Sequence, residues 1–505
     1  MHSSSGPNRS FFRSVRGAAP FAMSSAMALG MAAAPAALAD SDAPVKVTFT
    51  EHVAPIVFNN CTVCHRAGEA APFSLASYEE VKKRGPFIVE VTGDRYMPPW
   101  HAESGDLKFK AERRLTDAQI DTLEAWVESG MEEGDPEKLP KLPDFPEGWS
   151  LGEPDMILTM TEAFEVPAEG SDIYRNFVVP LDIDEDKWVK AIEFRPSAPS
   201  VVHHSLFFLD RTGQARARDA ESERPGFGRM PRGVERDGYI GGWAVGGRPV
   251  PLPEGLAQQL PKGADFIFST HFHLSGKAES EKSTVGLYFA DKPPSKSFAQ
   301  VQLPPLFGAL AAVDIPAGEK AYTRSDYYEF PVDVNAFSVG AHAHYLGKEM
   351  ELTATLPDGT AKQLLHIKDW DFSWQERYAY EDFVSLPKGT RLDAKVVWDN
   401  STENPDNPSN PPVRVKWGLE STDEMGSITL LITPVDEADK AELDESIRQH
   451  QRESAVRSLV ANASSSREGR GILAKAREMF DKDKDGKFDA EEREAIKQFL
   501  KGVGL

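Results

Sequence analysis

The chain has 505 residues, with 57 Lys and Arg against 79 Asp and Glu, and 40% of its residues are hydrophobic. This composition excludes a fibrous, collagen-like or wholly disordered chain, and the length predicts about two to four domains. The formal net charge of −22 argues against tight non-specific binding to nucleic acid or to an anionic lipid surface. Two cysteines exclude a disulfide framework.

The first 39 residues have the pattern of an export signal. Three arginines lie within residues 9–16, and a run of small and apolar residues follows and ends in Ala37-Leu38-Ala39. Signal peptidases recognise this pattern, in which a small residue lies on either side of Leu38. The alternative is a retained membrane anchor, but Pro20 and Pro35 interrupt the run. We therefore predict a signal peptide over 1–39 and a periplasmic or secreted protein without stable membrane insertion after cleavage.

Both cysteines lie in one short motif. Cys61 and Cys64 precede His65 in a C-x-x-C-H sequence, which is the attachment signature of c-type haem. Two thiols about one helical turn apart can each bond a haem vinyl group, and the adjacent imidazole then ligates the iron. The alternative is a disulfide or a redox-active thiol pair. The motif therefore predicts covalent haem c.

The surrounding residues indicate a small helical domain, which we place at 40–138. Thr116 begins a capping box and an apolar stripe at helical spacing follows it. The segment resembles bacterial cytochrome c domains in which a Tyr-Met-Pro-Pro-Trp loop supplies the second axial ligand, here Met97. His101 and Met131 are the alternatives for that ligand. A Pro-rich linker follows over 139–150.

Residues 151–435 have the pattern of β-strands. Short apolar runs over 187–194, 201–209, 266–272 and 285–289 are separated by Pro and Gly turns. Neither a nucleotide-binding Gly-rich loop nor a nucleophile-elbow motif occurs between a predicted strand and a predicted helix.

Six of the twelve histidines of this chain occur as three close pairs in these runs. They are His203 with His204, His271 with His273, and His342 with His344. Side chains i and i+2 of a strand share a face, so His342 and His344 can bind one metal ion. The adjacent pair can share an ion only at a bend or bulge. Imidazoles suit Cu, Zn, Fe or Ni, and ligand type alone does not choose among them.

The arrangement resembles the copper type II, ascorbate-dependent monooxygenases, which include peptidylglycine α-hydroxylating monooxygenase and dopamine β-monooxygenase. His203, His204 and His271 match the ligands of that family's first copper. His342 and His344 match the histidines of the second copper, and Met425, in a Thr-Asp-Glu-Met-Gly context, matches its sulfur ligand in preference to Met350. The resemblance leaves His273 without a ligand role.

This resemblance implies two antiparallel β-sandwich domains of jelly-roll type, over 151–310 and 311–435, each with one copper ion. It implies hydroxylation of a substrate C–H bond with O2, with His342, His344 and Met425 at the catalytic copper. The substrate stays open between a small molecule and a peptide. We expect the haem, reduced by an external donor, to relay electrons to the first copper.

Two other function classes remain open at this point. One is a periplasmic haem and copper electron-transfer or copper-binding protein without oxygenase activity. The other is a zinc hydrolase. Within the β region, residues 370–375 are rich in aromatic side chains that either line a pocket or belong to a core.

The C-terminal residues match a calcium-binding EF-hand, which we place at 471–505 after a solvated linker helix over 436–470. Residues 481–492 form the twelve-residue loop, with Gly486 at its sharp turn. The predicted oxygen ligands are Asp481, Asp483, Asp485, Lys487 through its carbonyl, Asp489 and Glu492. The fold class predicted for the whole chain is therefore multidomain: a helical cytochrome c domain, two β-sandwich domains and a helical EF-hand.

Overall fold

The computed structural model describes residues 46–465, except 68, 70, 104, 146, 147, 232, 235–237 and 246, together with residue 495. From Val47 onward these residues belong to one compact unit. The predicted signal peptide and the predicted calcium loop lie outside the described residues, so both stay predictions.

Most helices lie at the two ends of the described chain, and one α-helix, α5, and one 3-10 helix lie between strands. The helices are α1 Ala54–Asn60, α2 Tyr78–Lys82, α3 Gly85–Gly93, α4 Asp117–Glu128, α5 Gln214–Ala220 and α6 Lys440–Ser465, with a π-helix at Phe49–Val53 and 3-10 helices at Pro136–Lys138, Leu306–Ala311 and Glu437–Asp439. The predicted capping box is confirmed, because the Thr116 hydroxyl accepts from the Gln119 amide while the Gln119 side chain accepts from the Thr116 amide. In the part of the chain described here, no helix is long and apolar enough to cross a membrane.

Residues 156–434 form antiparallel β-sheets, as the alternating apolar runs predict. The first ten strands are β1 Met156–Thr159, β2 Phe164–Val166, β3 Ile173–Pro180, β4 Lys187–Arg195, β5 Val202–Asp210, β6 Tyr239–Ala244, β7 Gln258–Leu260, β8 Asp265–Phe272, β9 Glu279–Glu281 and β10 Thr284–Phe289. The next ten are β11 Ala299–Leu303, β12 Asp314–Ile315, β13 Tyr322–Glu329, β14 Val334–Ala343, β15 Gly347–Thr355, β16 Ala361–Ile367, β17 Arg377–Leu386, β18 Arg391–Trp398, β19 Val415–Lys416 and β20 Gly426–Pro434.

The first ten strands build two four-stranded sheets, with order β1-β10-β4-β7 and β3-β8-β5-β6. Apolar side chains from both sheets, such as Val285 of β10 and Phe268 of β8, belong to one buried cluster. Burial of that shared face is the main force that holds the two sheets together. The predicted strand runs match β4, β5, β8 and β10 to within one residue at each end.

The last ten strands build a second pair of four-stranded sheets, β11-β20-β14-β17 and β13-β18-β15-β16. Their inner faces also share one core, which contains Val339, Leu352 and Ile428. The predicted boundary at residue 310 is wrong, because β11 pairs with β20 from Ala299↔Ile432 to Leu303↔Ile428. The strands of the second sheet pair therefore begin at Ala299.

The helical segment before residue 138 also packs against the second sheet pair. Trp100, Ala102 and Phe109 belong to the core of that pair, and the Phe109 ring stacks on Tyr380 with centroids 5.3 Å apart. Ala102 forms an isolated bridge with Ile367. The region predicted as a separate domain over 40–138 therefore contributes side chains to the neighbouring β-core.

Helix α6 is not the solvated linker that its composition predicts over 436–470. Leu443 is fully buried in the core of the second sheet pair, and the His450 imidazole lies 2.9 Å from the Asp326 carboxylate. The Tyr328 hydroxyl donates a hydrogen bond to Ser446 Oγ at 3.0 Å. The first half of this helix is therefore docked on β13.

Candidate functional site

His203, His204 and His271 converge at the end of the first sheet pair, and we call them the histidine triad. One nitrogen from each imidazole lies within 4.8 Å of the others, a spacing that can hold a metal ion. The Nδ1 atom of His203 lies 3.1 Å from Nδ1 of His204 and 3.2 Å from Nδ1 of His271. The predicted convergence of these three residues is thus confirmed.

A β-bulge allows the two adjacent histidines to share one site. Strands β5 and β8 change register between Val202 and His204, so that His204 lies opposite His271. The extra residue turns the His203 side chain toward the same point as its neighbour. This is the irregularity that the adjacent pair requires.

The outer nitrogens of the triad are held by fixed oxygen atoms. His271 Nε2 lies 2.8 Å from the Asp172 carboxylate, and His203 Nε2 lies 3.1 Å from the Phe372 carbonyl oxygen. These oxygens accept hydrogen bonds from the Nε2–H groups of the two imidazoles, which leaves the Nδ1 lone pairs directed to the shared point. His273 is exposed and lies 3.0 Å from the other Asp172 oxygen, which fits a role outside the ligand set.

His342 and His344 lie at the end of β14, with ring centroids 5.3 Å apart. Ala343 pairs with Gly426 of β20, so the chain register sets Met425 beside His344. Met425 is buried, whereas Met350 lies in β15 within the core of the second sheet pair. The arrangement therefore favours Met425 over Met350 as the sulfur neighbour of these histidines.

Oxygen acceptors also hold the Nδ1 atoms of this second pair. His342 Nδ1 lies 2.6 Å from Gln375 Oε1, and His344 Nδ1 lies 3.1 Å from the Asp423 carbonyl oxygen. Both imidazoles therefore donate from Nδ1 and keep Nε2 as the atom available to a metal ion.

Four of the candidate ligand imidazoles are kept neutral. Burial, followed by the charge of His271, lowers the pKa of His203 to about 3 and that of His204 well below its ordinary value. Burial likewise lowers the pKa of His342 to about 4 and that of His344 to about 3. A neutral imidazole is the form that binds a metal ion.

Glu424 fixes the backbone around the second pair. Its carboxylate accepts hydrogen bonds from the amides of His344, Leu346 and Met425 and from Trp398 Nε1, at 2.6–3.1 Å. Burial raises the pKa of Glu424 to about 8, while these four donors favour the ionised form.

The two histidine groups meet around Phe372. The Phe372 ring stacks on His203 at a centroid distance of 4.6 Å and lies edge-on to His344 at 5.8 Å. Nearby, Tyr174 stacks on His271 at 4.2 Å, and its hydroxyl lies 2.8 Å from the Ser421 hydroxyl of the second sheet pair. The structure thus brings the two groups together at one junction between the sheet pairs.

The C-x-x-C-H motif follows α1 in a helical turn, with the amides of Cys64 and His65 donating to the Cys61 carbonyl. Both thiols are free, and burial, with a smaller contribution from Cys64, raises the pKa of Cys61 to about 12. His65 Nδ1 lies 3.1 Å from the Phe73 carbonyl oxygen, which leaves Nε2 available. The two free thiols and the free Nε2 fit thioether attachment and ligation of a haem iron.

Met97, the predicted sixth ligand of the haem iron, lines a cavity in which the described residues of the C-x-x-C-H motif take no part. Met97 and His101 line an open cavity of about 500 Å³, and none of Cys61, Cys64 and His65 lies among the described lining residues. His101 Nε2 is buried without a hydrogen-bond partner. Met131 packs instead in the helical core, where its sulfur approaches Gly85. Met97 therefore stays a prediction, with His101 as its rival.

Sequence reasoning missed the residues that orient the imidazoles, namely Asp172, Gln375 and Glu424. The sequence could have indicated Glu424, because it lies directly before the predicted ligand Met425. Phe372 and Gln375 lie in the aromatic segment 370–375, but an aromatic-rich sequence is typical both of a pocket lining and of a hydrophobic core. Asp172 has no sequence signal, because its partner lies 99 residues away.

Comparison with known proteins leaves the family of this chain open. No protein-family model and no curated protein matches it. Among solved structures, it is similar to the major capsid protein P2 of bacteriophage PM2, at 9% identity over 55% of this chain and 97% of that chain, with a TM-score of 0.22. A peptide-N(4)-(N-acetyl-β-D-glucosaminyl) asparagine amidase matches at 11% identity over 56% and 97%, with a TM-score of 0.25.

Proposed function

We propose that this protein is an exported, copper-dependent monooxygenase of the copper type II, ascorbate-dependent class, built on two jelly-roll sandwiches. The observation that carries the proposal is the meeting of the histidine triad with His342 and His344 at Phe372. Two nitrogen-rich ligand groups in neighbouring sheet pairs are what a two-copper enzyme needs. The proposed reaction consumes a substrate R–H, O2, two electrons and two protons, and yields R–OH and water.

The donor sets fit two copper ions of different character. The histidine triad would hold one ion through three Nδ1 atoms, and His342, His344 and Met425 would hold the other. A site of two imidazoles and a thioether favours Cu(I), whereas three imidazoles suit an ion that passes electrons. Copper in these sites would supply the redox chemistry that activates O2 and attacks a C–H bond.

The protein's own groups prepare these sites. Asp172, Gln375 and the Phe372 carbonyl each hold one imidazole in a single tautomer, so these three rings need no reorientation when an ion binds. The Phe372 ring is buried at the junction. On the other side of His342, the exposed Phe307 ring lies 5.2 Å away in an edge-to-face contact, and we propose that it meets the substrate.

We further propose that haem c on Cys61 and Cys64 supplies the electrons. Cys64 lies within electrostatic range of Arg113 and Arg248, and Arg248 follows the strand in which Ala244 pairs with His204. Arg248 is four residues from the partner of His204, which supports a haem motif on the same side of the molecule as the histidine triad. Calcium binding at 481–492 is a separate proposal, supported by its loop sequence alone.

Oxygen consumption tests the proposal. Purified protein loaded with copper and haem should consume O2 in the presence of a reductant and should place one ¹⁸O atom from ¹⁸O2 in a product found by a substrate screen. His342→Ala should abolish this product, whereas His366→Ala, at a strand histidine paired with Glu349, should not. Two bound copper ions with no oxygenated product would favour the electron-transfer alternative, and one zinc without copper would favour the hydrolase.

A further inference from the structure

One short segment joins a ligand of each candidate metal site through a continuous hydrogen-bonded chain. The Phe372 carbonyl oxygen lies 3.1 Å from His203 Nε2 and 3.2 Å from Gln375 Nε2. The other end of the same side chain, Gln375 Oε1, lies 2.6 Å from His342 Nδ1. Two groups, the Phe372 carbonyl and the Gln375 side chain, therefore connect His203 of the histidine triad to His342 of the second pair.

The chemistry of these groups fixes the direction of each hydrogen bond. A carbonyl oxygen only accepts, so His203 and Gln375 both donate to Phe372. The Gln375 amide nitrogen is then committed, and its oxygen must face His342 and accept from it. Each imidazole consequently turns its remaining nitrogen toward its own candidate metal site.

Neighbouring residues hold this hydrogen-bonded chain in place. Phe372 is 7% exposed, and the Ser373 amide donates to Asp371 at 2.8 Å, which shapes the turn. The next residue, Glu376, forms an ion pair with Arg113. Hydrogen bonds linked in a chain polarise one another, which strengthens each of them.

We propose that the Phe372 carbonyl and the Gln375 side chain form a bridge that carries single electrons between the two candidate copper sites. This inference rests on the proposed function. The electron lost by Cu(I) at the triad is the one gained by Cu(II) at the second site. The protons of the bridge stay on the nitrogens that carry them. The reductant for each transfer is the haem, or ascorbate when it is added from outside.

Gln375 is a positioning residue in this scheme, because it acts through His203 and His342. Gln375→Leu removes both hydrogen bonds, whereas Gln375→Asn keeps the amide but is one methylene too short to span the gap. Gln363→Leu is the matched control, because Gln363 is an exposed glutamine that lies 3.4 Å from His366 on β16.

Freeze-quench electron paramagnetic resonance during reduction by ascorbate tests the bridge. In the wild-type protein both Cu(II) signals should decay together, since electrons exchange between the sites faster than they enter. In Q375L and Q375N one signal should lag, with exchange slowed about 10- to 100-fold, the range typical of losing a group that hydrogen-bonds a metal ligand. Q363L should behave as the wild type.

The outcomes separate this inference from the proposed function. If Q375L or Q375N retains two copper ions and still loses both signals in one phase at the wild-type rate, the bridge is overturned. If the wild-type protein shows no Cu(II) signal when loaded with copper, the proposed function itself fails. The Cu(II) hyperfine splitting at the second site should also change in Q375L, because His342 loses its acceptor.

Discussion

At the scale of single residues, the acceptors behind the imidazoles decide what each histidine can do. Asp172 receives a hydrogen bond from His271 at 2.8 Å and from His273 at 3.0 Å. Burial acts to raise its pKa, but the hydrogen bonds and charges of those two histidines hold the pKa below its ordinary value. A charged acceptor makes His271 a more basic ligand.

Asp172→Asn should weaken metal binding at the histidine triad. The amide has one acceptor oxygen instead of two and carries no charge, so the affinity for Cu(I) should fall about 10- to 100-fold. Competition titration with a chromophoric chelator measures the affinity of each site. Asp186→Asn, at an exposed carboxylate that accepts from Gln259 and Lys262, is the matched control. Equal affinities in the two variants would contradict this role of Asp172.

At the scale of strands and turns, one carboxylate joins three segments around the second histidine pair. Glu424 links the turn after β14 to the end of β18 and to the start of β20 through four N–H donors. Gly426 permits the close approach of Trp398, since a Cβ atom there would collide with the indole ring. The position of Met425 depends on both residues.

Glu424→Gln should destabilise this junction. Its amide nitrogen is a donor and must face N–H donors, so at least one buried group loses its partner at a cost of about 1–3 kcal/mol in the free energy of unfolding. Urea unfolding measures the change, and copper analysis should show loss of the second ion with the first retained. Glu420→Gln, at an exposed carboxylate, should leave both quantities unchanged. An E424Q protein as stable as E420Q would refute this account.

The strands could be predicted from the sequence because their signal is local. Apolar runs and turn residues place β4, β5, β8 and β10 closely, and the adjacent histidines require the bulge that is found at Val202. Strand β11 lies on the other side of the predicted boundary, because it pairs with residues of β20 that are 125 or more positions away in the sequence. Helix α6 has a polar sequence with only a few buried positions, such as Leu443. Its overall composition therefore does not predict that it packs against the second sheet pair.

At the scale of the whole molecule, an ion pair connects the helical region to the second sheet pair. Arg113 contacts Glu376, which is one residue from the bridge at Gln375. Burial raises the pKa of Glu376 from 4.5 to about 6, although Arg113 and Arg248 act to lower it. The folded protein therefore binds this proton more tightly than the unfolded chain does.

The pH dependence of stability should reveal this carboxyl group. Its contribution is fully present below pH 4.5 and is lost as the pH rises through about 6, a decrease of about 2 kcal/mol in the free energy of unfolding. The difference in stability between wild type and Glu376→Gln should change by that amount between pH 4 and pH 7. Glu381→Gln, exposed on β17, should track the wild type. A constant difference across this range would rule out the raised pKa.

Anomalous diffraction from copper-loaded crystals, measured on both sides of the copper absorption edge, tests the central claim most directly. The account predicts two copper peaks per chain, one bounded by the Nδ1 atoms of His203, His204 and His271, and one bounded by His342, His344 and the Met425 sulfur. Absence of either peak, or peaks bound by other side chains, would contradict it.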